Sequence, residues 1–381
     1  MRIAMIYLGR RGSGGPTSLT LATHLADHLA VAVVSSYAEQ LAVWQQSGLP
    51  LIQTPTYHGL VGALGSWLNQ PRLQKLALEI RSHRPDVVLY PMIDTWSCFL
   101  QWYLRPIPGV VVVHDPTPHP GLFHGLVSLF ERALIRQATR CITLSQSLVP
   151  DLVRQGVPQH MIDVIPMGML SYYQAQARPE SQAVLRSEAP VLLFFGRITA
   201  YKGLEVLLQA FAQLSQHHAV RLRIVGAGSL RPYQSRLDGL QNVEIVNRWI
   251  GEEEVMGFFT PNSIVVLPYT SASQSGVIRI AASAGVPVIA TNTGGLAEQI
   301  IDGATGLLVE PGSPEQLATA IEHLLKNPSF ARQLGDNLKR DYIESRNWDI
   351  IAERVYHVCQ QAWSEEEQKH HATLAKPPYA G

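Results

Sequence analysis

Cysteine is scarce: three residues in 381, Cys98, Cys141 and Cys359, widely spaced and odd in number. Such a set supports neither a disulfide framework nor a Cys-based zinc site, and it suits a reducing compartment. Net charge is missing as well. Thirty basic and thirty acidic residues cancel, and no dense basic run occurs, so nothing advertises a nucleic-acid partner. No apolar stretch approaches the ~20 residues of a membrane span. The first apolar run, Ile3 to Leu8, is too short for a signal sequence and reads as a strand. The expectation is a cytoplasmic protein, with peripheral attachment at the inner face of a membrane left open. Charged residues make up only 16% against 46% apolar, which allows packed cores and argues against disorder. At about one domain per ~150 residues, the length allows two or three.

A dinucleotide fingerprint is also lacking. Arg2 to Tyr7 reads as a strand, Gly9 to Pro16 as a glycine-rich turn, Thr17 to Leu29 as a helix and Val31 to Ser35 as a second strand. The glycines fall at 9, 12, 14 and 15, which is not G-x-G-x-x-G, and Ser35-Ser36 replaces the acidic residue that would hold a ribose. Both departures weigh against a nicotinamide or flavin site and favour a tight turn or an anion site. Alternation continues: His58 to His83 helical with a break near Pro71, Asp86 to Tyr90 a strand, Thr95 to Leu104 a helix, Val110 to Val113 a strand. This pattern implies a doubly wound parallel sheet. The loop from His114 to Gly121 holds three prolines, which stiffen the backbone around polar residues at a strand's end. For His114, Asp115, His119 and His124 the spacing suits no common metal motif, leaving loop capping or substrate contact. Leu122 to Gln137 reads as a helix packing on the core, or one whose start meets a lipid-linked acceptor or membrane surface. Arg140 to Leu144 and Asp163 to Pro166 are further strands.

Polar, aperiodic Ser171 to Ala189 reads as an interdomain linker, and a second α/β domain follows. Its first strand, Val191 to Phe195, leads into Gly196-Arg197-Ile198-Thr199-Ala200-Tyr201-Lys202-Gly203 and a helix from Leu204 to Leu214. Arg197 and Lys202, five positions apart, straddle a strand-to-helix turn, where a guanidinium fork and an ammonium can share one diphosphate. The next strand, Arg221 to Val225, ends in Gly226-Ala227-Gly228, and Val243 to Val246 ends in Asn247-Arg248-Trp249. Trp249 suits stacking on a base or packing between domains. Strand Ile264 to Leu267 is stopped by Pro268, and a loop of small polar residues, Ser273-Gln274-Ser275, precedes a helix near Gly276 and Val277. Ser275 and Gly276 there offer backbone N–H groups whose dipole favours an anion. Strand Val286 to Ala290 and a Gly294-Gly295 turn follow. Ser313-Pro314 starts a later helix, and further helical patterns occupy Ser329 to Glu344 and Trp348 to Trp363.

Gly196-Arg197 with Lys202-Gly203, Ala281-Ala282-Ser283-Ala284-Gly285-Val286-Pro287-Val288 and Thr291-Asn292-Thr293-Gly294-Gly295-Leu296-Ala297-Glu298 together resemble the donor-binding core of glycosyltransferase family 4. That resemblance implies the retaining GT-B fold: two Rossmann-like, doubly wound parallel-sheet α/β domains facing across a cleft. The expected boundaries are 1–168 (acceptor domain), 169–189 (linker), 190–345 (sugar-nucleotide domain), 346–365 (a helix crossing back to the first domain) and 366–381 (a mobile tail). The implied reaction moves a sugar from a nucleotide-sugar, such as a UDP- or GDP-sugar, to a glycan or lipid-linked acceptor, without metal or other cofactor. The implied diphosphate site comprises Gly14, Gly15, Gly196, Arg197, Lys202, Ser273, Gln274, Ser275, Gly276 and Val277. Gly226, Gly228, Arg248 and Trp249 would lie by the base, His114 near the transferred sugar, and Asp115 and His119 on the acceptor side. One departure stands out. The family's two glutamates, eight positions apart, are here Ala272 and Ile280. A transferase with an altered ribose contact, a silent sugar-nucleotide binder and another enzyme on this fold, such as an epimerase or phosphorylase, are the readings carried forward.

Overall fold

The computed structural model describes residues 1–57, 69–115, 124–178 and 189–374. It divides into two compact units: residues 1–166 with 348–381, and residues 167–347.

Unit 1 is built on β1 (Ile3–Tyr7), β2 (Leu29–Ser35), β3 (Leu51–Thr54), β4 (Val87–Tyr90), β5 (Gly109–Val113), β6 (Arg140–Thr143) and β7 (Ile162–Val164). They form one sheet in the order β3-β2-β1-β4-β5-β6-β7, with every pair parallel. LAVAVVS in β2 and GVVVV in β5 are buried throughout, as expected of strands covered on both faces. The connections β3→β4, β4→β5 and β5→β6 all step the same way across the sheet. Right-handed crossovers therefore put helices Gln70–Ser82, Ser97–Leu104 and His124–Gln137 on one face, where neighbours touch. The other face carries helix Gly14–His24 packed against Trp348–Leu374. Trp348, Ile351, Ala352, Val355, Val358, Cys359 and Ala362 recur at helical spacing and are all buried. Burying a side chain such as Ile351 or Val355 stabilises by roughly 1.5–3 kcal/mol.

Unit 2 repeats the plan with β8 (Val191–Phe195), β9 (Arg221–Val225), β10 (Val243–Val246), β11 (Ser263–Leu267), β12 (Val288–Thr291) and β13 (Leu307–Val309). Their order is β10-β9-β8-β11-β12-β13, again all parallel. In both sheets the order reverses once, between β1 and β4 and between β8 and β11. Such a switch point leaves a crevice at the strands' carboxyl ends.

Several expectations shift. The first helix ends at His24, and Leu29 already opens β2. Strand β3 and the short helix Leu41–Gln46 were not expected. The helix starts afresh at Gln70, where Pro71 is tolerated because the first turn needs no donor; residues 58–68, the part of the expected helical stretch before the break, lie outside the described set. Residues 167–178 are not free linker: Leu170 and Tyr173 are buried in the core of unit 2, and Tyr172–Gln176 is helical. The rest of the linker, 179–188, is outside the described residues. The last helix does not stop at Glu365 but runs to Leu374; 375–381 are not described.

Candidate active site

The loop after β8 is held by backbone contact. Gly196 N–H bonds Val225 O and Ile198 N–H bonds Ala227 O, both at 2.9 Å. Gly226 has φ +135°, and a Cβ there would lie 2.0 Å from Gly196 O; one on Gly228 would lie 2.3 Å from Ile198 O. Only glycine permits that approach. Gly203 (φ +68°) is equally constrained, with Pro268 O 1.8 Å from where its Cβ would sit. Gly226 N–H is taken by Val246 O, and Asn247 holds both the N–H and the carbonyl of Gly228. These two glycines therefore clamp the loop after β8, and their N–H groups are already engaged within the protein.

Within this frame Arg197 is exposed and has no partner among the described residues. Lys202 differs. It is buried, and its Nζ donates to Tyr269 Oη at 2.6 Å and sits 4.2 Å from that ring's centroid. Tyr269 is itself fixed edge-on against Tyr201 at 6.0 Å. A Cβ on Gly196 would lie 3.4 Å from Nζ and 3.9 Å from Val277, so the ammonium, Gly196 and Val277 are neighbours.

Helix Gly276–Ala284 starts beside this cation. Its cap, Ser275, accepts the Val277 N–H through its side chain. Ser275 N–H, expected to face an anion, instead donates to Gln299 Oε1 at 2.7 Å, and Gln299 Nε2 returns to Ser275 O at 3.2 Å. Gly276 keeps an amide with no protein acceptor among the described residues, and the half-buried Gln274 side chain is likewise uncommitted. Gly295 N–H bonds Ala272 O at 3.1 Å, fastening this loop to the turn after β12. Ala272 and Ile280 both pack in an apolar cluster, so neither position faces a ligand with a polar group.

Arg248 is committed to Glu254 through a two-point pair of 2.8 and 2.6 Å. Hydrogen bonding to Arg248 holds the Glu254 carboxyl below its usual range. Trp249 is 44% exposed. Sequence reading overlooked Tyr269, Gln299 and Arg279. Arg279, in an apolar helix, is 2% exposed, and its Nε donates to Gly168 O at 2.6 Å. Burial lowers its pKa to about 10. A lone arginine within GVIRIAASA was the available signal; nothing comparable marked Tyr269.

In unit 1, Gly14 and Gly15 open helix Gly14–His24. A Cβ on Gly15 would lie 2.0 Å from Gln40 Oε1, and one on Gly14 would crowd Met92 at 3.1 Å. A side chain at either position would thus require Gln40 or Met92 to move aside. His114 Nε2 lies 2.9 Å from Pro91 O, tying the ends of β4 and β5. The carbonyl only accepts, so Nε2 carries the hydrogen. Asp115 shares a cavity of about 160 Å³ with His114, Glu131 and Arg132. Burial, then the charge of Asp115, raises the Glu131 pKa. His119 and the proline run 116–121 lie outside the described residues, as does the side chain of His124. Among the described residues, no three His, Cys, Asp or Glu side chains come together as a metal site, and no helix is long and apolar enough to cross a membrane.

Residues 17–169 match Glycosyltransferase Family 4, and residues 189–327 match Glycosyl transferases group 1. A glycosyltransferase of Methanocaldococcus jannaschii is 25% identical over 233 residues, 58% of this chain and 60% of that protein. The D-inositol 3-phosphate glycosyltransferase of Streptomyces coelicolor is 30% identical over 241 residues, 58% of this chain and 52% of that one. The chain thus spans between half and two thirds of the length of these relatives. Anabaena HepE, solved in complex with UDP and glucose, has the same fold, with a TM-score of 0.71 at 18% identity over 95% of this chain and 100% of that one. Two family domains in tandem, each on its own parallel sheet, establish that the chain belongs to the family 4-type glycosyltransferases of GT-B fold.

Proposed function

We propose that the chain is a retaining, metal-independent hexosyltransferase that moves a sugar from a nucleotide-sugar to a glycan or lipid-linked acceptor in polysaccharide or cell-envelope glycan synthesis. The observation that carries this reading is the gathering, at one switch point, of an uncommitted Arg197, a buried Lys202 and the open amide of Gly276. Cleaving a sugar–diphosphate bond leaves negative charge on the phosphate, and preorganised donors aimed there lower the barrier. Arg197 supplies a fork, Lys202 a point charge whose position Tyr269 sets, and Gly276 an amide at the positive end of a helix. Gln274 and Ser273 contact sugar hydroxyls in place of the missing first glutamate. Trp249 offers a face to the base, while Arg248, tied to Glu254, frames it. His114 and Asp115 serve the sugar and the acceptor. Retention follows from the family resemblance: a same-face displacement in which the leaving phosphate takes the acceptor's proton. HepE, complexed with UDP and glucose, favours a UDP-linked hexose as donor.

The test is thermal unfolding of wild type and Arg197→Ala against UDP, GDP, ADP and their sugar nucleotides. A ligand at ~100 times its dissociation constant adds about 2.7 kcal/mol. One nucleotide class should stabilise the wild type, and less so the variant. Stabilisation by none of them overturns the donor site. The apolar surroundings of the half-buried Ala272 and the buried Ile280 favour a second reading, a sugar-nucleotide binder without turnover. Binding without product, when acceptors are supplied, would select it.

A further inference from the structure

Among the described residues, the three most exposed large apolar side chains are Leu78 (68%), Trp102 (61%) and Leu129 (60%). They stand on three different helices, Gln70–Ser82, Ser97–Leu104 and His124–Gln137, and these are the three that lie side by side on one face of the unit 1 sheet. Side-chain contacts join the layer laterally. Arg81 donates to Tyr103 O at 3.0 Å, and the Phe99 and Phe130 rings meet at 5.3 Å. Each apolar residue is flanked by cations. Lys75 and Arg81 lie one helical turn either side of Leu78. The Arg105 guanidinium sits 4.7 Å above the Trp102 ring. Arg132 and Arg136 follow Leu129 on its own stripe. With Arg72, this layer holds six cations against two acids, Glu79 and Glu131, in a chain whose charges cancel as a whole.

We propose that this helical layer of unit 1 docks on an anionic lipid bilayer surface. Isolated exposed apolar residues are ordinary, but three on adjoining helices, fringed by one sign of charge, form a surface matched to a wet, negatively charged interface. A tryptophan with an arginine stacked on it suits the headgroup level, where a ring can be half in water. The cations supply attraction over about a Debye length, and the apolar side chains give purchase on contact. The layer contains none of Arg197, Lys202 and Gly276, which belong to unit 2, so the idea stands whether or not the donor assignment does.

The test is cosedimentation of the whole chain with vesicles of phosphatidylcholine, alone or with about 30% phosphatidylglycerol, at low and high salt. Wild type should bind the anionic vesicles on the order of tenfold better than the neutral ones, and lose that preference at high salt. The Leu78→Ser/Trp102→Ser and Lys75→Glu/Arg136→Glu variants should each bind at least about tenfold less. Their unfolding midpoints, and their response to nucleotides, should match wild type, because the side chains are exposed and far from the donor residues in sequence and unit. No binding, equal binding to neutral vesicles, or a self-associated form that Leu78→Ser/Trp102→Ser disperses would overturn the proposal. The last outcome would make the layer a contact between copies.

Discussion

Tyr269 is the buried partner of the Lys202 ammonium, and its hydroxyl can be removed without disturbing its ring. Tyr269→Phe keeps the edge-on contact with Tyr201 and deletes the acceptor of Nζ. A hydrogen bond to a charged group contributes about 1.5–3 kcal/mol. An unfolding free energy lowered by that amount in urea titration, with weaker nucleotide binding, is the expected outcome; an unchanged stability and affinity would show the contact to be incidental. The three thiols give a second test at this scale. All are buried, and burial pushes Cys141 up to about 12 and raises Cys98 and Cys359. A thiol-specific disulfide reagent at neutral pH should leave native protein unlabelled and count all three after denaturation. Unfolding frees these thiols to ionise near 8.5. Their contribution to stability is therefore complete below that pH and falls as pH rises towards about 12. Arg197 and Lys202 were legible in the sequence because G-R-x4-K-G is a contiguous string. Tyr269 was not, since its role comes from a contact 67 positions away in the chain.

Among the elements, the glycine loops carry the sharpest expectation. Gly226→Ala combines φ +135° with a Cβ 2.0 Å from Gly196 O, so the loops after β8 and β9 must part. The expected cost exceeds about 3 kcal/mol, with loss of nucleotide stabilisation. Gly312→Ala is the control: φ is +75°, yet nothing lies within 4 Å of the added atom. It should cost only the left-handed strain, about 1–2 kcal/mol, and leave nucleotide binding intact. Equal losses in calorimetry would show that crowding at Gly226 is relieved. Central strands were readable from near-continuous apolar runs. Strand β3 escaped because LIQT is four residues long, carries Gln53 and sits between Pro50 and Pro55. The extension of the last helix past Glu365 escaped for another reason. It has no apolar stripe to detect, but a nucleated helix grows readily through residues such as Glu, Gln, Lys and Ala. An ion pair of 3.2 Å between Glu366 and Lys369 adds a little.

At the scale of the molecule, the two-sheet plan was visible in the alternation of strands and helices. The exact chain division was not, because Leu170 and Tyr173 sit in a polar stretch whose burial depends on partners elsewhere in unit 2. Truncation separates the parts of the last helix. Removing 366–381 keeps the stripe from Trp348 to Ala362 and the Arg140–Glu365 ion pair of 2.7 Å, so the thermal midpoint should change little. Removing everything from Trp348 strips cover from helix Gly14–His24 and from β4, β5 and β6, and His28 loses its stack on Tyr356 at 3.9 Å. Unit 1 should then fail to give a cooperative transition while unit 2, whose chain is continuous, still melts. A cooperative unit 1 in that truncation would mean the helix is an ornament.

That divided unit has a consequence for the order of biosynthesis. Residues 1–166 leave the ribosome first, yet the helix that covers one face of their sheet is translated only after residues 167–347. At about 5–20 residues per second, the wait is on the order of ten to forty seconds. During that interval the earlier-made half is a nascent chain with an uncovered apolar face, while the later-made half can already close upon itself. The usual sequence of events, first made and first finished, is inverted here, and the interval before the last helix emerges is when a chaperone has most to hold.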